Sequence, residues 1–286
     1  MNERLSSPGE VVTQLRKVGY LADEQIGTVV FLSAAIEKPI LLEGPAGVGK
    51  TELAKSLATV LDMRLIRLQC YEGLDESKAL YEWNYRKQLL RIQADKDRDW
   101  SQTEQDIFGE EYLLERPLLQ AIRSSDPVLL LIDEVDRLDL EAEALLLEIL
   151  SDWQVSIPES GTIVAVQKPQ VVLTSNATRE LSEALKRRCL FLPIAYPSIE
   201  REKEILIEKV PGLDDSLAAR IAEVVRSIRN LDMKKSPSIA ESIDWARTLV
   251  ALGASSIGPE ELEHTMGVLL KHSSDIDKAR NALGTI

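Results

Sequence analysis

The apolar positions of this 286-residue chain fall into two rhythms. Through the first two-thirds, short continuous apolar runs alternate with stretches at helical spacing. Runs at 39–42, 65–68, 128–132, 171–173 and 190–194 read as strands, and 51–61 reads as a helix with Leu53, Leu57 and Val60 along one side. Apolar runs of that length separated by helices predict a parallel sheet covered on both faces, with right-handed crossovers. After Tyr196 and Pro197 no strand run remains. Leu217, Ile221, Val224, Val225 and Ile228 recur at helical spacing; so do Ile239, Ile243, Ala246 and Val250, and then Leu262, Met266, Leu269 and Leu270. Pro197, Pro211-Gly212 and Pro237 punctuate these helices. The pattern predicts an α/β domain over 1–196 and a smaller α-helical domain over 197–286. Two insertions interrupt the α/β part. One, 71–116, is longer than a simple crossover; the other, 153–166, alternates around Pro158-Glu159-Ser160-Gly161 as a hairpin does.

The candidate chemistry sits where the strand runs end. Gly44, Pro45, Ala46, Gly47, Val48, Gly49, Lys50 and Thr51 fit the GxxxxGK[ST] pattern between a strand and a helix, the context a phosphate loop requires. Glycines let successive backbone N–H groups converge on phosphate oxygens, and the helix N-terminus adds partial positive charge. Lys50 is expected to reach the β- and γ-phosphates and the Thr51 hydroxyl to ligate Mg²⁺, with Glu52 the next residue in the binding segment. A chance match in a chain of this composition is on the order of one per cent.

The run 128–132 delivers Asp133 and Glu134 at its carboxyl end, where open α/β sheets bind ligands. Asp133 suits the metal shell and Glu134 suits polarising an attacking water. The plainer alternative makes Asp133 a helix N-cap. Asn176 closes the 171–173 run and could hold that water or the γ-phosphate; a strand-ending Asn also occurs without function. Arg187 and Arg188 follow a helical stretch. Either they only complement a helix C-terminus or they act as an arginine finger in a neighbouring subunit's site.

Composition narrows the partners. Lys and Arg number 34 against 47 Asp and Glu, a net charge of -13 that argues against a broad nucleic-acid footprint. Cys70 and Cys189 cannot form a disulfide framework, and no run is long or apolar enough for a signal core or a membrane span. A cytoplasmic protein is expected. His264 and His272 are expected at the surface, without metal or acid–base duty.

The order of phosphate loop, acidic strand end, strand-terminal Asn, paired arginines and helical lid resembles the AAA+ ATPases. The hairpin after Glu134 looks like their pre-sensor-1 insertion. Segments 147–163 (LEILSDWQVSIPESGTI), 185–190 (LKRRCL) and 237–249 (PSIAESIDWARTL) are similar to MoxR-type members that accompany molybdenum hydroxylases of the carbon monoxide dehydrogenase kind. The resemblance implies a P-loop NTPase αβα sandwich followed by an all-α lid. It implies ATP and Mg²⁺ as ligands, Lys50 and Thr51 in Walker A, Asp133 and Glu134 in Walker B, Asn176 as sensor 1 and Arg188, less firmly Arg187, as finger. Gly19-Tyr20 would lie near the adenine, and the 71–116 insertion would line a ring's central face. Partners implied are a homo-oligomeric ring, a hexamer, a von Willebrand factor A-type protein and a metalloenzyme client. The chain departs from the pattern where relatives place a sensor-2 arginine: Ser238 and Ile239 follow Pro237, and Arg247 lies further along.

Two other readings compete with a protein remodeller. Tyr81, Trp83 and Tyr85 beside Arg86 and Lys87 could stack bases and neutralise phosphate in a nucleic-acid motor, or could simply pack the insertion together with Leu89, Leu90 and Ile92. A scaffold gated by nucleotide without efficient hydrolysis is the third.

Overall fold

A computed structural model describes residues 5–94, 107–158 and 161–283. Glu159 and Ser160 of the expected hairpin turn, and 95–106 of the longer insertion, lie outside the described residues.

By contact the chain divides into two compact units, one formed by Met1–Glu43 with Lys50–Pro193, the other by Gly44–Gly49 with Ile194–Ile286. The sequence boundary at 196 takes no account of the loop, which groups with the C-terminal helices.

The first unit is built on a five-stranded parallel sheet. Its strands are β1 (Ile40–Glu43), β2 (Arg64–Gln69), β5 (Val128–Asp133), β8 (Gln170–Ser175) and β9 (Leu190–Pro193), in the order β2-β5-β8-β1-β9. A parallel sheet with helices, followed along the chain by a helical region, is the architecture that the sequence pattern predicts. β5 is buried along its whole length and β8 nearly so, as strands covered on both faces must be. Leu41, Leu130, Ile132 and Leu173 join Leu118, Leu119 and Ile122 of the helix Pro117–Arg123 in one core. Each buried Leu or Ile side chain there is worth about 1.5–3 kcal/mol of transfer free energy.

The longer insertion carries structure that its sequence does not announce. β3 (Tyr81–Trp83) and β4 (Leu113–Glu115) form a small antiparallel pair, and the helix Tyr85–Ala94 follows β3. Trp83 is buried, edge-on to Tyr81 and Phe108 at ring-centroid distances of 6.1 and 5.3 Å. The shorter insertion is a hairpin of β6 (Gln154–Ile157) and β7 (Gly161–Val164). Helices Pro8–Lys17 and Glu24–Ile36 precede β1, each opened by a capping side chain, Ser7 and Asp23.

The second unit holds helices Ile199–Lys209, Asp215–Arg229, Ile239–Ala251, Pro259–Leu269 and Ser273–Leu283. Their apolar faces meet around Trp245, whose indole N–H donates to Thr265 Oγ1 at 2.7 Å. Arg229 is buried against Glu202 with N···O distances of 2.5 and 2.9 Å and lies 4.2 Å over the Tyr196 ring. Ser238 caps the helix Ile239–Ala251 in a capping box with Glu241.

Candidate functional site

The carboxyl ends of four adjacent strands converge. In register, Asp133 of β5 lies beside Gln69 of β2, and Glu43 of β1 beside Ser175 of β8. Asp133 is 2% exposed, belongs to the strand and is no helix N-cap. Its Oδ1 accepts from Thr174 Oγ1 at 2.5 Å and from Thr51 Oγ1 at 3.0 Å. Its Oδ2 accepts from Arg67 Nε at 3.1 Å and Nη2 at 2.5 Å. Burying a carboxylate this deeply is tolerable only with such a complete set of donors.

Glu134 turns sharply out of the strand with φ 59 and ψ 47. Its backbone N–H donates to Thr174 Oγ1 at 2.9 Å, so one hydroxyl holds both acidic residues in place. The Glu134 carboxylate is partly exposed and pairs with Arg137 Nε at 2.7 Å. Lys50 is buried, and its Nζ donates to Asn176 Oδ1 at 2.8 Å. Burial pulls the Lys50 pKa below the usual ammonium range, against the opposing pull of Asp136, Asp133, Glu134 and Glu43.

Asn176 is held from below. Asp136 accepts from the Thr178 backbone N–H at 3.0 Å and hydroxyl at 2.6 Å, and the Ala177 N–H donates to Ser175 Oγ at 3.0 Å. Burial raises the Asp136 pKa, but hydrogen bonds from Thr178 and the Asn176 amide outweigh it and leave the carboxyl below its ordinary range.

The loop Gly44–Gly49 needs its glycines for two separate reasons. Gly47 and Gly49 have φ of 75 and 98, where a side chain strains the backbone. A Cβ on Gly44 would lie 1.9 Å from the Ile194 carbonyl oxygen, and one on Gly47 2.2 Å from Ser238 Cβ. The Gly47 carbonyl accepts from the Ile239 N–H at 3.1 Å. Pro45, Ala46 and Val48 complete the loop. Glu52 is half-exposed on the following helix, 4.0 Å from Lys55.

The hydroxyl of Thr51 and the carboxylate of Asp133 are hard oxygen donors placed together, a set that fits Mg²⁺. Among the described residues no three His, Cys, Asp or Glu side chains gather into a cage. A divalent ion here would therefore rely on water and phosphate oxygens for most of its ligands, as Mg²⁺ does.

Residues matching the expected finger sit on the helix Glu183–Arg188. Arg188 turns back, donating from Nη1 to the Ala184 carbonyl at 2.8 Å and from Nε to Ser151 Oγ. Arg187 is exposed. Arg247 is exposed and pairs with Asp244 at 3.4 Å. His264 and His272 lie at the surface. Cys70 and Cys189 are buried free thiols, their pKa pushed up to about 12 chiefly by burial. In the insertion, Trp83 is buried and Lys87 pairs with Glu111 at 3.4 Å. Leu89 and Leu90 do not pack; they are 58% and 67% exposed, with Tyr85 at 63% beside them.

Arg67, Arg137, Thr174, Asp136 and Thr178 are site residues that sequence reasoning missed. Only Thr174, flanking Asn176 at the end of an apolar run, left a local signal.

Residues 39–189 match the family model described as AAA domain, dynein-related subfamily. The chain belongs to that family. Solved structures share this AAA fold. Two variants of Thermotoga maritima RuvB superpose with TM-scores of 0.52 and 0.51, each at 20% identity, over 92% of this chain and 72% of theirs. At that identity the likeness shows the fold alone. Proteins of Staphylococcus aureus (strain bovine RF122 / ET3-1) and Staphylococcus haemolyticus, both described as uncharacterized, are 27% and 26% identical over 224 residues. That span is 76% of this chain and 77% of each relative. Among the described residues, no helix is long and apolar enough to cross a membrane.

Proposed function

We propose that this AAA protein is a Mg²⁺-dependent ATPase whose hydrolysis drives remodelling of a protein client. The observation that carries the reading is the Thr51–Asp133–Thr174 cluster beside the Lys50–Asn176 pair at the carboxyl edge of the sheet. In this reading the amides of Gly44–Gly49 cradle the phosphate tail. Lys50 exchanges Asn176 for a phosphate oxygen, and its charged form is then favoured by the anionic ligand over the desolvated pairing seen here. Mg²⁺, when bound, neutralises phosphate charge at the site. Thr51 and Asp133 hold that ion, directly or through water.

Glu134 orients and polarises the attacking water once its carboxylate leaves Arg137. Asn176, released from Lys50, is placed to hold the same water or a γ-phosphate oxygen. Thr174 keeps Asp133 and Glu134 in fixed relation throughout. Arg188, and secondarily Arg187, would serve a neighbouring protomer in a homo-oligomeric ring, a hexamer, once Arg188 gives up its contacts to Ala184 and Ser151. The client class is the finest part of the reading and rests on the MoxR-like segments 147–163, 185–190 and 237–249. They support a chaperone for maturing a metalloenzyme, working with a von Willebrand factor A-type protein.

Steady-state phosphate release with Mg²⁺ tests the catalytic core. Wild type should turn over ATP, and Glu134→Gln should lose about 10²–10⁴-fold while keeping nucleotide affinity. Equal slow rates in both would support the gated scaffold instead.

A further inference from the structure

Asp133 carries more positive company than a metal-site carboxylate needs. Its Oδ2 takes two hydrogen bonds from the Arg67 guanidinium, at 3.1 and 2.5 Å, before any divalent ion is considered. Arg67 stands on β2, the edge strand next to β5, and also donates to Gln69 Oε1 on its own strand. We infer that Arg67 is a resident counter-cation of Asp133 that weakens the site's uptake of a divalent ion; this rests on reading the cluster as a Mg²⁺–nucleotide site.

Three features set the direction of the effect. First, Asp133 does not depend on Arg67 for its position. Thr174 and Thr51 hold Oδ1, the strand is buried, and the Asp133 carbonyl accepts from the Cys70 N–H at 2.8 Å. Removing the guanidinium therefore leaves Oδ2 with only the longer contact from Thr51 Oγ1, at 3.3 Å, and uncovers one negative charge without releasing the carboxylate. Second, the pair is asymmetric, with side-chain exposures of 47% for Arg67 and 2% for Asp133. The arginine can withdraw toward water while the aspartate stays, so exchange against an incoming cation needs only a change of arginine rotamer. Third, a monocation on the same carboxylate reduces what that carboxylate offers a dication, and a half-exposed guanidinium does so in moderation.

Arg67 is thus a tuning residue rather than a catalytic one. It neutralises Asp133 while the ion is away and keeps the ion's binding reversible. The test is a Mn²⁺ titration read by electron paramagnetic resonance, with the full chain in excess over a non-hydrolysable ATP analogue. Arg67→Gln should lower the half-saturating Mn²⁺ concentration by about fivefold, the size expected for one screened charge at contact range. Arg67→Lys keeps the charge and should remain within about twofold of wild type. Arg67→Met supplies a second neutral variant should Arg67→Gln fold poorly, and thermal melting checks all three. An unchanged or higher half-saturation point in the neutral variants overturns the inference, as does an Arg67→Lys value matching theirs. A wild type that binds neither Mn²⁺ nor the analogue overturns the nucleotide-site reading itself.

Discussion

The carboxyl edge of β5 and β8 and the helix Tyr85–Ala94 solve opposite problems. At the sheet edge, a buried carboxylate, a buried ammonium and an amide find hydrogen-bonding partners within the same unit, at distances from 2.5 to 3.3 Å. The insertion helix instead presents Tyr85, Leu89 and Leu90 to solvent. Tyr85 and Leu89 are four residues apart, on one helical face. Chemistry demands groups fixed by their own scaffold, whereas a helix face without that duty can leave apolar atoms exposed. The two regions should therefore respond differently to substitution.

Lys50→Ala should show the largest difference. It removes the buried ammonium at the sheet edge, and affinity for a fluorescent ATP analogue should fall at least tenfold, about 1.4 kcal/mol. Retained affinity would break the assignment of chemistry to that edge. Thr174→Val comes next. Without the hydroxyl that accepts from Glu134 N–H and donates to Asp133, turnover should fall by about tenfold or more, with thermal stability lowered by about 1–3 kcal/mol for the unpaired groups.

Glu143 tests the scaffold rather than the site. It is 2% exposed and accepts from Arg179 at 2.8 Å and the Ser182 N–H at 3.0 Å. Burial raises its pKa, but the bonds from Ser182 and Arg179 outweigh burial and hold the carboxyl below the ordinary range. Its contribution is complete above the unfolded carboxyl pKa and disappears as pH falls through the lowered folded one. Glu143→Gln should cost about 1 kcal/mol near neutrality, after allowing for the partly exposed arginine, and should flatten the acid side of the stability–pH curve. The smallest effect belongs to Leu89→Lys with Leu90→Lys, expected to change stability by no more than about 0.5 kcal/mol in chemical denaturation. A larger loss would mean that this face is packed.

Much of the sheet was legible because its strands are short apolar runs closed by polar residues, so Asp133, Asn176 and the glycine loop announced their own positions. The first helices were not. Glu24–Ile36 contains Thr28, Val29, Val30, Phe31 and Leu32 in succession, which suits a strand as well as a helix and gives little amphipathic contrast. Ser273–Leu283 failed for the opposite reason, being mostly polar around Ile276, Ala279 and Leu283. β3 and β4 are three residues each, too short for alternation to register. Arg67 could not have been assigned from the chain alone. Its meaning depends on β2 lying beside β5, and sheet order is a long-range property that neighbouring residues do not encode.

The left-handed turn at Glu134 has an evolutionary corollary. A β-carbon in that conformation costs about 1 kcal/mol relative to glycine, so selection for stability alone would favour glycine at 134. On the proposed role of Glu134 as the group that polarises water, Glu134→Gly ought to melt at a higher temperature than the native chain and be inert, placing sturdiness and usefulness in competition at a single backbone position.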